Sequence, residues 1–357
     1  MLRKLSSIII PSLFLIASSL SIKAITPTWN VEFGSIFDNR EGDAKVLEPR
    51  TFFLVNLSPE IGIKFTSEDR IAAGVVWNQP LQNGIKNGKV MPTVYYRHEG
   101  KRWNFSMGLF PMSQLKEPLP GFLWCDSLSY YQKNLRGALV QFNNKNGFFE
   151  SYIDWRGIQS KQTREAFNIV FHGETSFGKK PFITGGYLMM NHFAKTNVPN
   201  EDQHIVDNFM YNPFVGVDLS GITALNLLKI KGGILGAVER HRGVSGWTAP
   251  VGFNLDLEAE WKFLGVRNSL YAGGKLYRLY GEYGNLLYQG EAYYQSNFYD
   301  RLDIYANIYS NKYMRLEAQL NFNFSKETFM FYQRLILEIE IGNLISSPIK
   351  SNYQIFK

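Results

Sequence analysis

Residues 313–324 read YMRLEAQLNFNF and alternate apolar and polar side chains without a break. A period of two places successive side chains on opposite faces of a β-strand. The apolar set, from Met314 to Phe324, carries no charge, and the run has about the length, roughly 9–11 residues, of a tilted strand that crosses a bilayer. The stretch therefore predicts a strand with one face toward lipid and the other toward a polar interior.

The same alternation recurs along the chain. Residues 251–263 and 329–341 repeat it, and turn residues divide the whole chain into about sixteen such segments, with a range of about 14–18. Their connections tend to alternate between short and long, as in outer-membrane barrels, which have an even strand number. Two connections are exceptions, since 172–181 is long for an inner turn and 325–328 is short for an outer loop.

These patterns predict an all-β fold, a transmembrane antiparallel up-and-down β-barrel with short periplasmic turns and long outer loops. A soluble β-sandwich or propeller would also alternate. Such a fold would rarely leave tryptophans, here Trp77, Trp103, Trp155 and Trp261, on strand faces that are otherwise rich in Ile, Leu and Phe.

The N-terminus indicates export. Arg3 and Lys4 precede a mostly apolar run to Leu20, which is typical of a signal peptide cut after Ala24. We therefore predict a signal peptide over 1–24, a barrel over 25–342 and a C-terminal tail over 343–357, in the outer membrane of a diderm bacterium after signal-peptide-dependent export. No later segment is apolar for the roughly 18 residues that a membrane helix needs.

Charge and cysteine content exclude some partners and linkages. The formal charge is +7, but the predicted signal carries three positive charges and no acid, which leaves 7 − 3 = +4, so a nucleic-acid partner is not supported. The single cysteine, Cys125, has no partner for an intramolecular disulfide, and we interpret it as a buried or loop thiol without chemistry.

Several short strings resemble those of porin-type outer-membrane β-barrel proteins of the Bacteroidota, many of them uncharacterised. They run from Tyr130 to Gly137, from Asp154 to Gly157, from Arg164 to Phe167, and from Tyr283 through Gly290 and Glu291 to Asp303. The resemblance implies a barrel in the outer membrane and says little about what is bound or passed. Barrels of this kind usually end on an aromatic residue, whereas here a tail follows the last strand and Phe356 is penultimate.

If the apolar faces meet lipid, the polar faces line a lumen, because Arg or Lys near the midplane costs about 2–4 kcal/mol on the lipid side. The lumen is either an open passage, in which such rows bias ion selectivity, or a space filled by mutually paired side chains. About sixteen strands enclose more room than side chains alone fill, which favours a passage. The predicted lining comprises Glu150, Asp154, Asp256, Glu258, Glu260, Arg301, Asp303, Arg315, Glu317, Arg334, Glu338 and Glu340.

The connection from Pro111 to Leu135 follows the fifth predicted strand, where many porins fold a loop into the barrel. Its segment 118–124 is apolar enough to be buried, and we expect Lys116, Glu117, Asp126 and Lys133 to bound a constriction, with Asn134 nearby. The alternative is an extracellular lid or loop–loop packing.

Signals for catalysis or cofactors are weak. The five histidines show no metal-ligand spacing, and no phosphate loop or dinucleotide fingerprint occurs, so we predict no metal, no cofactor and no enzyme activity. Asn191 and His192 invite comparison with an outer-membrane phospholipase, but neighbouring strand residues face opposite ways and no serine can be placed beside them. Asp38, Glu41 and Asp43 are better interpreted as a solvated loop than as a Ca²⁺ site.

The sequence thus predicts a porin-like channel for passive diffusion of small hydrophilic solutes. The alternatives are a barrel that acts as a surface adhesin or receptor through its outer loops, and a barrel hydrolase. The expected partners are outer-membrane lipid and lipopolysaccharide, small polar solutes and the barrel-assembly machinery, with a homo-oligomer left open.

Overall fold

The structure is a computed structural model that describes residues 25–82, 84–177, 181–198 and 203–344. The predicted signal peptide, 1–24, and residues 345–357 of the predicted tail lie outside the described residues.

Within the described residues, sixteen antiparallel strands form one closed barrel, in which each strand pairs with its chain neighbours and the first pairs with the last. The predicted fold class is confirmed. The strands are β1 (Thr26–Gly42), β2 (Arg50–Lys64), β3 (Asp69–Pro80), β4 (Lys89–Glu99), β5 (Trp103–Pro111), β6 (Asn134–Asn144), β7 (Gly147–Gly157), β8 (Ala166–Ser176), β9 (Phe182–Phe193), β10 (Val206–Asp218), β11 (Leu227–His241), β12 (Val251–Trp261), β13 (Leu264–Gly273), β14 (Phe298–Ser310), β15 (Met314–Ser325) and β16 (Phe329–Gly342).

The alternation in 313–324 becomes the two faces of β15. Glu317 and Asn321 are buried toward the interior, whereas Leu320 and Phe324 are 42% and 39% exposed on the outer wall. Closure between β1 and β16, with Ile36 opposite Ile336, leaves the sheet without a free edge. Because the sheet is closed, its strands form their backbone hydrogen bonds with one another, and its outer wall is apolar. Both properties are needed to cross lipid.

Two connections differ from the sequence-based boundaries, and a third agrees with them. β8 continues to Ser176 and β9 begins at Phe182, so the inner connection, long by the sequence pattern, is shorter in the structure. The alternation of residues 266–277 predicts a strand that ends at Tyr277, and this is wrong because β13 ends at Gly273. Leu276 and Tyr277 are indeed buried, but in a loop, and burial alone does not distinguish a strand from a packed loop. The short outer connection is observed, between Ser325 and Phe329.

Two long connections carry the α-helical turns of the described residues. Loop A, residues 112–133, joins β5 to β6 and contains an α-helix over Asp126–Tyr131. Loop B, residues 274–297, joins β13 to β14 and contains a helical turn over Tyr280–Tyr283. No helix in the described part of the chain is long and apolar enough to span a membrane.

Candidate solute pathway

The inward face of the barrel carries the charged side chains that the sequence assigns to a lumen. Cross-strand register sets them side by side, with Arg315 opposite Glu338 and Arg267 opposite Asp303. All residues of the predicted lining lie on this face, namely Glu150, Asp154, Asp256, Glu258, Glu260, Arg301, Asp303, Arg315, Glu317, Arg334, Glu338 and Glu340.

Many of these inward groups have partners on the wall itself. The Arg301 Nε lies 2.9 Å from an Asp303 oxygen, and the Arg315 Nη2 lies 2.8 Å from Glu338 Oε2. On the acidic strand β12, Asp256 accepts a hydrogen bond of 2.7 Å from the Ser269 hydroxyl. The wall is therefore a mosaic of paired charges of both signs.

Loop A lies inside the barrel, and residues 122–124 of its apolar segment are buried, whereas Pro118 at the start of the segment is exposed. Phe122 and Leu123 are 2% and 3% exposed. Side-chain amides of the wall hold the loop's far end, because Asn56 and Asn78 donate hydrogen bonds to the backbone carbonyls of Tyr130 (3.2 Å) and Tyr131 (2.7 Å). The loop thus crosses the lumen and is fixed to the wall at β2 and β3.

Loop B also folds into the lumen, which the sequence analysis missed. Leu276 and Leu287 are fully buried, and the rings of Tyr277 and Tyr288 stack with centroids 4.4 Å apart. The Tyr293 hydroxyl lies 2.6 Å from that of Tyr332 on the barrel wall. Tyrosine suits this position because the ring fills space while the hydroxyl finds a polar partner.

The two loops are joined to each other through their backbones. The Cys125 N–H donates to the Gln289 carbonyl and the Glu291 N–H to the Gly121 carbonyl, each at 2.7 Å. Between these bonds, a Cβ on Gly290 would collide with the Tyr277 hydroxyl and the Gly121 carbonyl. The contact therefore depends on a residue without a side chain, and the loops form one inner layer.

An arginine cluster, Arg40, Arg301 and Arg334, anchors loop A to the wall. Asp126 accepts from Arg334 Nη2 at 2.6 Å and from Arg301 Nη1 at 3.1 Å, while Asp38 accepts from Arg334 and Arg40. Burial alone would raise the pKa of Asp126, but the Arg301 and Arg334 guanidinium groups hold it well below its usual range. Asp126 is therefore an ionised bridge between the loop and strands β14 and β16.

Glu291 of loop B borders this cluster, and its ionisation should make the stability of the barrel depend on pH. Burial, with the nearby Asp126 carboxylate as a second cause, raises the pKa of Glu291 to about 7. The folded state then keeps a proton that the unfolded chain releases near the ordinary value of 4.5, so stability falls as pH rises between these two values. We expect the melting temperature of the wild type, followed as loss of the SDS-resistant folded band, to fall more from about pH 5 to about pH 8 than that of Glu291→Gln.

The glutamine in this variant keeps a carbonyl acceptor for the Asp126 N–H, which Glu291 accepts at 2.8 Å. Parallel pH profiles of the two proteins would show that another group is responsible.

A second group of charges fixes loop A nearer the periplasmic end. Glu117 lies 3.5 Å and 3.6 Å from the ammonium groups of Lys229 and Lys231, which also pair with Glu174. The Lys116 backbone N–H donates to Glu150 at 3.0 Å. Loop A is thus held at both ends of its path by charged groups of the wall.

Lys133 lies apart from these groups. It lines a cavity of about 20 Å³ with Glu32 and Glu60, a space for about one water molecule. Of the four residues predicted to bound a constriction, Glu117 and Asp126 meet charged wall residues through their side chains, Lys116 through its backbone, and Lys133 borders this cavity. Their role as a constriction stays a prediction.

The five histidines do not combine with acidic side chains to form a metal-binding site in the described residues. No group of three or more His, Cys, Asp or Glu in the described ranges is placed to hold a metal ion. His172 faces the lumen, 3.3 Å from Glu150, whereas His192 faces outward, with its ring tilted against that of Phe167 at a centroid distance of 5.0 Å. Asn191 points inward and donates to the Leu287 carbonyl at 2.6 Å, so it does not share a face with His192.

Sequence reasoning missed several residues that the lumen brings together. Asp38 belongs to the arginine cluster and is fully buried, although the sequence placed it in a solvated loop, which is wrong because β1 extends to Gly42. Arg40, Glu291 and the tyrosines of loop B were also missed. The high density of tyrosines in 277–299 was the signal in the sequence that could have indicated a buried loop, since an exposed loop rarely carries so many aromatic rings.

The barrel and its inner layer can be compared with known proteins. A family model described as lipid A 3′-O-deacylase-type matches residues 28–346. The chain belongs to this family. No curated protein matches this member of the lipid A 3′-O-deacylase-type family. The resemblance to porin-type barrels is supported at the level of the fold.

Solved structures show the same fold at low sequence identity. OccK2 (OpdF) of Pseudomonas aeruginosa, crystallised with glucuronate, aligns at a TM-score of 0.53 and 9% identity, covering 89% of this chain and 98% of that one. A BenF-like porin from Pseudomonas fluorescens Pf-5 aligns at 0.52 and 11% identity, covering 88% and 98%. The family and the closed barrel with an apolar wall place this lipid A 3′-O-deacylase-type protein in the outer membrane of a diderm bacterium.

Proposed function

We propose that the protein is a channel for passive diffusion of small hydrophilic solutes across the outer membrane. The observation that carries this proposal is the lumen itself, a polar, charged barrel interior crossed by loops A and B. An inner layer fixed to the wall narrows the cross-section, so solutes are selected by size and by their fit to paired charges. Export through a signal peptide cut after Ala24 is part of the proposal, and N-terminal sequencing of the mature protein should begin at Ile25.

Charges of both signs alternate around the lumen. Arg40, Arg301 and Arg334 pair with Asp38, Asp126 and Asp303, whereas the acidic Asp256 and Glu258 of β12 lie opposite Lys231 and Lys229 of β11. A solute in a narrow passage therefore meets polar groups of both signs on every side. Small polar solutes are therefore the class that this lumen suits.

Reconstitution of the purified protein into planar bilayers tests the channel. We expect stepwise, ohmic current increments, with a reversal potential under a salt gradient that reports the ion preference. Folding is checked on the same sample by heat-modifiable migration on SDS gels. A folded barrel that never conducts would refute the channel and favour an adhesin or receptor acting through its outer loops.

Family membership favours a second candidate, hydrolysis of an acyl ester of lipid A. His192 faces lipid opposite Asp207 on the neighbouring strand, near the barrel end that carries the long connections. Incubation with lipid A, followed by mass spectrometry of released fatty acid, tests this activity. Release by the wild type that is lost in His192→Gln would establish it, and no release by either protein would exclude it under those conditions.

A further inference from the structure

A row of polar side chains crosses the outer wall where apolar groups are expected. Register places Phe167 opposite His192, His192 opposite Asp207, and Asp207 opposite Arg240, and all four point away from the lumen. Their inward neighbours, such as Asn208 and Glu239, are buried on the other face of the same strands. Charged groups therefore lie on the lipid-facing side of β10 and β11.

The row lies at the outer rim of the barrel. β9 ends at Phe193, β10 begins at Val206 and β11 ends at His241, so the row is one residue from these strand ends. This end of the barrel carries loops A and B, and long connections face outward in outer-membrane barrels. The row is therefore level with the headgroups of the outer leaflet, where charge costs far less than at the midplane.

Two guanidinium groups share one carboxylate in this row. Asp207 accepts from Arg240 Nη2 at 3.1 Å and from Arg242 Nε and Nη2 at 2.7 and 2.6 Å. The arginine side chains remain 36% and 46% exposed, whereas that of Asp207 is 12% exposed. One positive charge is thus left without a matching acid among these three residues.

Arg240 also has an unused donor. Its Nε is buried and has no hydrogen-bond partner among the described residues. The Trp247 ring lies 4.8 Å from the Arg240 guanidinium carbon and orients the group. We call Asp207, Arg240, Arg242 and Trp247 the outer-wall arginine site.

We propose that the outer-wall arginine site binds the phosphate of a lipid headgroup in the outer leaflet. Two guanidinium forks present several N–H donors to tetrahedral phosphate oxygens, for which arginine geometry is suited. The neighbouring outward residues Phe209 and Val238 offer apolar surface to the acyl chains. The site lies outside the wall, so the proposal is independent of conduction through the lumen.

Native mass spectrometry of the detergent-solubilised full-length mature protein tests the proposal, with phosphatidic acid as the probe and diacylglycerol of the same acyl chains as the neutral reference. We expect the wild type to bind phosphatidic acid about tenfold more tightly than diacylglycerol, and the Arg240→Gln/Arg242→Gln variant to lose that preference. Arg50→Gln, which removes an exposed arginine stacked over Phe52 at the rim of β2, is the matched control and should keep it.

A third variant separates a binding site from a structural ion pair. Asp207→Asn removes the carboxylate that competes for both arginines, so we expect phosphatidic acid to bind more tightly than to the wild type. Millimolar inorganic phosphate should not displace the lipid, since it lacks the acyl chains. Equal binding of both lipids by the wild type, weaker binding by Asp207→Asn, or displacement by free phosphate would each overturn the proposal.

Discussion

Deletion of residues 115–129, bridged by a short glycine–serine linker, should raise the single-channel conductance about two-fold or more, because it removes the part of loop A that crosses the lumen. The deleted segment contains the buried Phe122 and Leu123 and the Asp126 bridge to the arginine cluster. Its loss also removes the backbone partners that hold loop B in place. Both effects widen the passage.

The matched control deletes Lys86, Asn87 and Gly88 from the connection between β3 and β4, where Lys86 and Asn87 are exposed. We expect its conductance to equal that of the wild type. A point variant, Gly290→Val, separates the loops while keeping the chain length, and should give an intermediate increase. If the folded 115–129 deletion conducts as the wild type does, loop A is not a constriction.

Replacement of Arg334 by alanine should destabilise the barrel by about 3 kcal/mol, because it removes the buried cation that bridges Asp38 and Asp126 and leaves each acid with a single arginine partner. The Arg334 side chain is 2% exposed and lies 3.1 Å from Asp38 and 2.6 Å from Asp126. Asp38 is fully buried, whereas the Asp126 side chain is 19% exposed, so Asp38 depends most on the arginines that remain.

Arg315→Ala is the matched control on the adjacent strand. Its side chain also faces inward and pairs with the buried Glu317 and the exposed Glu338, but it is itself 33% exposed. Because Glu317 also keeps a hydrogen bond from Gln319, we expect a loss of only about 1 kcal/mol. Urea unfolding in detergent, followed by tryptophan fluorescence, measures both variants. Equal losses would mean that water reaches the arginine cluster as freely as it reaches Arg315, and that the cluster does not anchor loop A.

The fold could be predicted from local pattern because each strand reports its own two faces. In 313–324 the residues that meet lipid can be predicted one by one, and the same holds for 251–263 and 329–341. The ends of the strands were harder to predict. β1 extends to Gly42 through Asp38 and Arg40, whose charges suggested a loop, because a lumen allows charged residues within a strand where a hydrophobic core would not.

The site was predictable only in part, for a related reason. The inward charges follow from alternation, and the burial of 122–124 follows from the apolar character of the segment 118–124. The pairing of Asp126 with Arg301 and Arg334, by contrast, joins residues 175 and 208 positions apart. The inward position of loop B was missed because its tyrosines are not regularly spaced in the sequence. The position of such a loop depends on its packing in the lumen, which no repeating pattern reports.

The outer-wall arginine site also could not be predicted from the sequence alone. Asp207 and Arg240 are outward by alternation within their strands, yet their meeting depends on the register between β10 and β11. Two residues of slip would separate them while leaving each on the same face.

The sequence by itself determined that this chain forms a membrane-crossing barrel with a charged interior, because period-two alternation is a local property that one strand carries alone. Only the tertiary structure decided what occupies that interior. Closure of the sixteen strands sets the diameter, and the diameter decides that loops A and B enter and join through Gly290. Contacts between distant residues depend on that closed geometry, which no single segment encodes.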